Sequence, residues 1–428
     1  MEDKTATYKP KREERVQVAH TQTAKGEAAY ILHNPDSHTY LEIDAQNYFL
    51  WELMDGEHEL GAIAMAYYAE YSAFPFDRLS QLITQLESNY LLEGTSPKSA
   101  QAPASEEASR VKRFADNAFQ REFNWQNADE FFGRFYRRVG WIFYTRPGLI
   151  VLGLITLVGI ACFVYLRWAK GYRLFRVSES YGWAIIVVIL ASYFVLFWHE
   201  SGHGLTCKSF GRSIRKAGLM FFYGKPTFYV DVSDMWMAPR GQRIWVSLAG
   251  PIMNLLAGSI LAILTMLLSP SKGAQVLFIS AFVAYLYAFL NLNPLLEYDG
   301  YYILIDWMNT QRLRQNSFTF VRKDLLAKIR TQARFTREET MYSVYGVLAS
   351  VWTVVAVLIA VYLWERELQM MVRSLVAGED VLAAVLVGGL TLMASTWLII
   401  GLAARLTLWV GARRGRHREI PEGGGEAL

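Results

Sequence analysis

Residues 182–203 read GWAIIVVILASYFVLFWHESGH: an apolar run, 182–198, followed at once by His199-Glu200-Ser201-Gly202-His203. The run is of membrane-spanning length. If it is helical, His199 and His203 lie one turn apart on one face, where two imidazoles can share a zinc ion while Glu200 is presented to a neighbouring water. With seven histidines in 428 residues, a chance H-E-x-x-H has odds on the order of one in a hundred. The plainer alternative is a pair of buried helix histidines satisfied by backbone carbonyls. It leaves two imidazoles and an acid beside lipid, where every ionisable group is costly.

Hydrophobic residues make up 53% of the chain, yet the part before residue 148 is polar, so the apolar excess is concentrated beyond it. Spans are expected at 148–166, 182–198, 244–268, 274–296, 345–364 and 381–410, about six helices in a mainly α, polytopic membrane protein. Basic residues cluster before the first span and after the second, fourth and sixth, for example at Arg137, Arg212, Arg322 and Arg414. That pattern puts both termini in the cytoplasm. One loop opposes it: Arg167, Lys170, Arg173 and Arg176 fall outside. The net charge of +4 comes mainly from these flanks; it suits anionic lipid and calls for no nucleic acid. Cys162 and Cys207 form no disulfide framework, and Cys207 reads as an apolar filler rather than a thiolate ligand.

Residues 1–25 read as a disordered leader. From 26 to 95 the pattern is that of a small α+β, winged-helix-like cytoplasmic domain. Two short strands flank Asn34-Pro35-Asp36-Ser37, Asp44 caps a helix, and two amphipathic stretches follow near 60–71 and 76–91. Residues 96–110 are a linker rich in Ser, Ala and Pro. Residues 111–147 interleave aromatics with Arg and suit an interfacial amphipathic segment. The transmembrane domain occupies 148–412, and 413–428 is a basic flexible tail.

A catalytic zinc takes three protein ligands and keeps one position open. The other histidines, His20, His33, His38, His58 and His417, lie outside the expected spans, so a carboxylate should complete the set. Asp231, Asp234, Glu297, Asp299 and Asp306 are the candidates. Asp299 is preferred because Asn293-Pro294 breaks the preceding span, freeing backbone groups that a polar cavity could satisfy. An ordinary Asp-Gly turn at the surface explains the same residues. LMFFYGKPTFYV, 219–230, reads as an apolar hairpin whose free edge could receive an added strand.

WHESGHGLTCKSFG (198–211), SLAGPIMNLLAG (247–258) and NLNPLLEYDGYYIL (291–304) together resemble the site-2 protease group of intramembrane zinc metalloproteases, peptidase family M50. Within it they are most similar to the bacterial peptide zinc metalloproteases. The stretch 40–64, YLEIDAQNYFLWELMDGEHELGAIA, resembles the PqqD-like domains that bind leader peptides of modified peptides. The first resemblance implies zinc ligands at His199, His203 and Asp299, and Glu200 as general base for a zinc-activated water. It also implies that Asn254 helps position substrate or the developing oxyanion. Leu295-Leu296-Glu297-Tyr298 departs from the proline-rich stretch of many members, which leaves Glu297 as a competing ligand or a group beside one. The expected activity is endopeptidase cleavage of a membrane-associated, modified or exported peptide, or of a membrane protein, with export or modification machinery as partner. The alternative is a non-catalytic adaptor in such a complex.

Overall fold

A computed structural model describes residues 8–22, 26–95, 120–174, 180–222, 225–310, 312–363, 381–382 and 385–386. The linker, the tail and nearly all of the sixth expected span, 381–410, lie outside these residues. The protein is mainly helical and multi-pass, with a small strand-containing domain at its N-terminal end.

That domain is an antiparallel sheet, β1 (Gln17–Gln22), β2 (Ala28–Asn34) and β3 (Thr39–Asp44), followed by α1 (Ala45–Glu52), α2 (Leu60–Tyr71) and α3 (Phe76–Ser88). The Asn34 side chain accepts from the N–H groups of Asp36 and Ser37, which makes the β2–β3 turn. Asp44 caps α1 through the Asn47 N–H at 2.7 Å and receives Arg78 of α3 at 2.8 Å, tying the third helix to the first. Leu79, Leu82 and Leu86 recur at helical spacing, and they bury α3 against Leu32, Leu50 and Met54. Residues 8–22, expected in the disordered leader, are ordered: Arg12 N–H donates to Met54 and Glu13 N–H to Leu91 before the chain enters β1. Backbone pairing of this kind carries no apolar signature in a stretch as polar as KPKREER.

Among the described residues five helices are long and apolar enough to cross a membrane: α5 (Arg146–Trp168), α6 (Tyr181–Ser209), α7 (Arg240–Leu268), α8 (Lys272–Leu292) and, in α12 (Arg337–Leu363), residues 337–359. α7 is the most enclosed and packs on α5, α6 and α8. Small residues permit this. A Cβ on Gly159 of α5 would lie 2.3 Å from the Ser259 Cα of α7, while Ser259 Oγ donates to the Thr156 carbonyl at 3.1 Å and meets the Tyr285 hydroxyl of α8. Because α6, α7 and α8 alternate in direction, the end of α6, the start of α7 and the end of α8 share one face of the membrane.

On that face lies a second antiparallel sheet, β4 (Gln120–Asn124), β5 (Lys216–Phe222) and β6 (Lys225–Asp231). The expected hairpin is thus joined by a strand from what sequence suggests is interfacial helix alone. Among the described residues 120–145, helical structure is α4 (Ala128–Arg138) and a 3-10 turn, Gly140–Tyr144. α4 buries Phe132 against Leu205 and leaves Phe131 and Phe135 exposed, as an interfacial helix does. The chain continues after α8 into α9 (Asp299–Met308), α10 (Leu313–Lys323) and α11 (Leu325–Arg330).

β2 meets the 3-10 turn Ser233–Met237 that follows β6. His33 is buried there, stacked on Tyr40 with ring centroids 4.2 Å apart, and neither ring nitrogen has a hydrogen-bond partner. Burial holds His33 below the usual 6.5, with Asp234 pulling the other way; His38 is lowered by burial and by Arg215. The docked domain therefore prefers neutral imidazoles. Their contribution is complete above about pH 6.5 and is lost as pH falls through the lowered values. Burial also raises Glu42, near Arg243, and acts in the opposite sense. Hydrogen-exchange protection in 28–34 and 233–237, taken relative to the intrinsic rate at each pH, should fall together as pH drops below about 6.5. His33→Phe, which keeps the stacking, should flatten the response; an unchanged slope would contradict the role of His33.

Candidate metal centre

The helix that crosses as α6 does not stop at Trp198. It runs on to Ser209, so the H-E-x-x-H residues occupy its C-terminal turns in true helical geometry. His203 Nδ1 lies 2.7 Å from the Val246 carbonyl of α7, which sets the proton on Nδ1 and turns the Nε2 lone pair inward. His199 Nε2 stands 3.1 Å from His203 Nε2. After α8 the chain turns at Asn293, whose side chain accepts from the Leu295 N–H. It then starts α9 with Asp299, whose carboxylate oxygens reach His199 Nε2 at 3.0 Å and His203 Nε2 at 3.5 Å. One donor atom from each of the three residues falls within 4.8 Å of the others. Asp299 Oδ2 is buried and has no hydrogen bond aligned to it despite its distance from His199. Buried donors that meet lone pair to lone pair need a cation among them.

Two further residues of α7 shape this point. Gly250 faces the histidines so closely that a Cβ would sit 2.5 Å from both His199 Cε1 and His203 Nε2. Asn254 is fully buried, with Nδ2 3.0 Å from His199 Nδ1 and Oδ1 unpartnered. An amide turned end for end places Oδ1 against Nδ1–H, which gives both histidines the same tautomer. Either way Asn254 touches the back of the His199 ring and does not line the cavity.

The three donors open on a cavity of about 740 Å³, lined also by Glu200, Val230, Trp236, Tyr298 and Tyr302. Glu200 Oε2 accepts the Val230 N–H of β6 at 3.0 Å, which holds the acid beside the donors but outside their set. The competing acids are engaged elsewhere. Asp231 accepts from the Ser233 N–H at 2.9 Å and lies 3.8 Å from Arg215; Asp234 accepts from the Ser213 N–H at 3.0 Å. Asp306 binds Arg243 at 2.8 Å, and burial still holds its carboxyl above the usual carboxylate value. Glu297 lines the cavity but is half exposed and leans toward Arg314 at 3.7 Å. Cys207 is buried under α4, its thiol directed at the Ser213 carbonyl. Val246 and Val230 act through their backbones, and nothing in their side chains announces it.

A stretch of 135 residues, 31% of the chain, is 32% identical to a protein of Bacillus subtilis (strain 168) named "Putative peptide zinc metalloprotease protein YydH". The match takes in 52% of that protein, so the chain spans about half the length of the curated relative it matches. No family model matches the chain, and no solved structure matches it.

Proposed function

We propose that this protein is a membrane-embedded zinc endopeptidase of the site-2 protease type, family M50. One observation carries the reading: His199, His203 and Asp299, from two distant parts of the chain, converge beside Glu200 at the wall of a cavity. Three ligands about 2.0–2.1 Å from a common centre at near-tetrahedral angles stand roughly 3.3 Å apart. The separations here are 3.0, 3.1 and 3.5 Å. Two imidazoles and a carboxylate suit zinc, and the relative's printed name agrees.

A zinc ion held by these residues supplies Lewis acidity, which makes a water nucleophilic near neutral pH and polarises a peptide carbonyl. Glu200 is the general base: the Val230 N–H holds one carboxylate oxygen, and the group sits within the cavity where that water must lose its proton. β6 is paired only with β5 among the described residues. An extended substrate laid along its other edge would bring its backbone beside Glu200. Asn254 is a positioning residue acting through His199, in place of the oxyanion contact that the family resemblance implies. Asn254→Ala should weaken zinc binding about 10- to 100-fold, with Asn254→Asp restoring much of it. Undiminished zinc affinity with a fall in kcat alone would return Asn254 to the oxyanion.

The substrate is a peptide or membrane-protein segment reaching the cytoplasmic face of a bacterial plasma membrane, with both termini of the enzyme on that side. The PqqD-like domain at 26–95 is the candidate for leader-peptide recognition, and peptide export or modification machinery is the expected partner. Peptides compared between cells carrying the wild type and cells carrying Glu200→Gln test this. An uncleaved precursor should accumulate only in the variant; identical peptide profiles would favour a non-catalytic adaptor.

A further inference from the structure

Arg240 and Arg243 stand in the first turn of α7, where a helix disfavours positive charge. An arginine that served topology alone would stay in water. Arg243 does not. Its side chain is only 11% exposed, and it directs both Nε, at 2.9 Å, and Nη2, at 2.8 Å, to Oδ1 of Asp306, whose side chain is 14% exposed. Arg240 donates to the Trp307 carbonyl, one of the last carbonyls of α9, which have no partner within the helix. The start of α7 thus grips the end of α9.

Helix spacing decides what this grip controls. Asp306 follows Asp299 by seven residues, about two turns, so both carboxylates lie on one face of α9. On α7 the residues Arg243, Val246 and Gly250 recur at helical spacing and share a stripe. The Val246 carbonyl fixes the His203 ring and Gly250 leaves room for both imidazoles, so that one stripe carries the supports of the histidines and the anchor of α9. Elsewhere α9 is packed by Tyr301 against Leu313 and Tyr345. Apolar burial is non-directional and lets a helix turn slightly about its axis; two donors aimed at one oxygen do not.

Of the three donors, Asp299 is the one that needs such a device. His199 and His203 are set relative to each other by the helix they share, whereas Asp299 arrives on a separate helix of ten residues. We propose that the Arg243–Asp306 pair is a latch that positions Asp299 as the third zinc ligand, acting through α9 rather than at the metal. This inference rests on the metal centre proposed above and adds two positioning residues to it.

The test titrates zinc into the purified full chain in detergent against a competing chelator. The double variant R243Q/D306N removes both charges at once and strands neither, which protects the fold. It should bind zinc about 10- to 100-fold more weakly than the wild type, the range for groups that support a ligand. D299A should lose at least as much. Adding R243Q/D306N to D299A should then cost about twofold at most, because the ligand being positioned is already gone. A general loosening of the site would instead weaken the residual binding by the two histidines a second time. Wild-type affinity in R243Q/D306N, or a full second loss in the triple variant, would overturn the latch and leave the metal centre standing. Undiminished zinc binding by D299A would bring down the centre, and the latch with it.

Discussion

Glu200→Gln is expected to lower peptidase turnover by about 10²- to 10⁴-fold, the usual contribution of a positioned general base, while zinc content stays unchanged. The substitution is nearly silent for the fold. A Gln side chain still offers an oxygen to the Val230 N–H, the one hydrogen bond Glu200 makes to β6. The residue also stands outside the cluster of His199, His203 and Asp299. What it loses is the capacity to take a proton. The measurement is turnover of the precursor that accumulates in cells, using purified wild type and variant with zinc determined on the same samples. Retained activity in a zinc-loaded variant would remove Glu200 from the chemistry, and loss of zinc along with activity would move it into the ligand set.

Gly250→Ala should abolish metal binding while leaving every proposed ligand residue in the sequence unchanged. The added methyl would lie 2.5 Å from His199 Cε1 and from His203 Nε2, well inside any tolerable contact. Neither ring can retreat easily: His203 is fixed by the Val246 carbonyl and His199 by Asn254. Moving a single group behind a ligand costs about 10- to 100-fold in metal affinity, and displacing two ligand rings at once should exceed that. Because α7 is a helix at this point, alanine is otherwise favoured over glycine there. Thermal stability measured with a chelator present should fall by only about 1–3 kcal/mol, the usual cost of overpacking a buried site. Full zinc occupancy in Gly250→Ala would show that the donors meet at some other point.

The local part of this site is legible in the sequence because helix periodicity alone brings His199 and His203 together. The third donor is different: sequence offers five acids, and choosing among them requires knowing that Arg243 takes Asp306 and that Asp231 and Asp234 serve turns. Those pairings cross up to 63 residues of chain and leave no short-range pattern. Span positions are readable from hydropathy, but their ends are not. α6 extends through the polar residues 199–209 and α12 begins at Arg337 rather than near residue 345, since helix formation continues past the apolar stretch. β4 is illegible for another reason. Gln-Arg-Glu-Phe-Asn lacks strand alternation, and it is a strand only because β5 offers it an edge.

X-ray absorption at the zinc edge, on the full chain purified without chelators, tests the central claim most directly. One zinc per chain is expected, with two imidazole nitrogens and the remaining neighbours oxygen, and no sulfur. A chain that binds no zinc, or a spectrum showing sulfur from Cys207 or Cys162, would contradict a centre made by His199, His203 and Asp299.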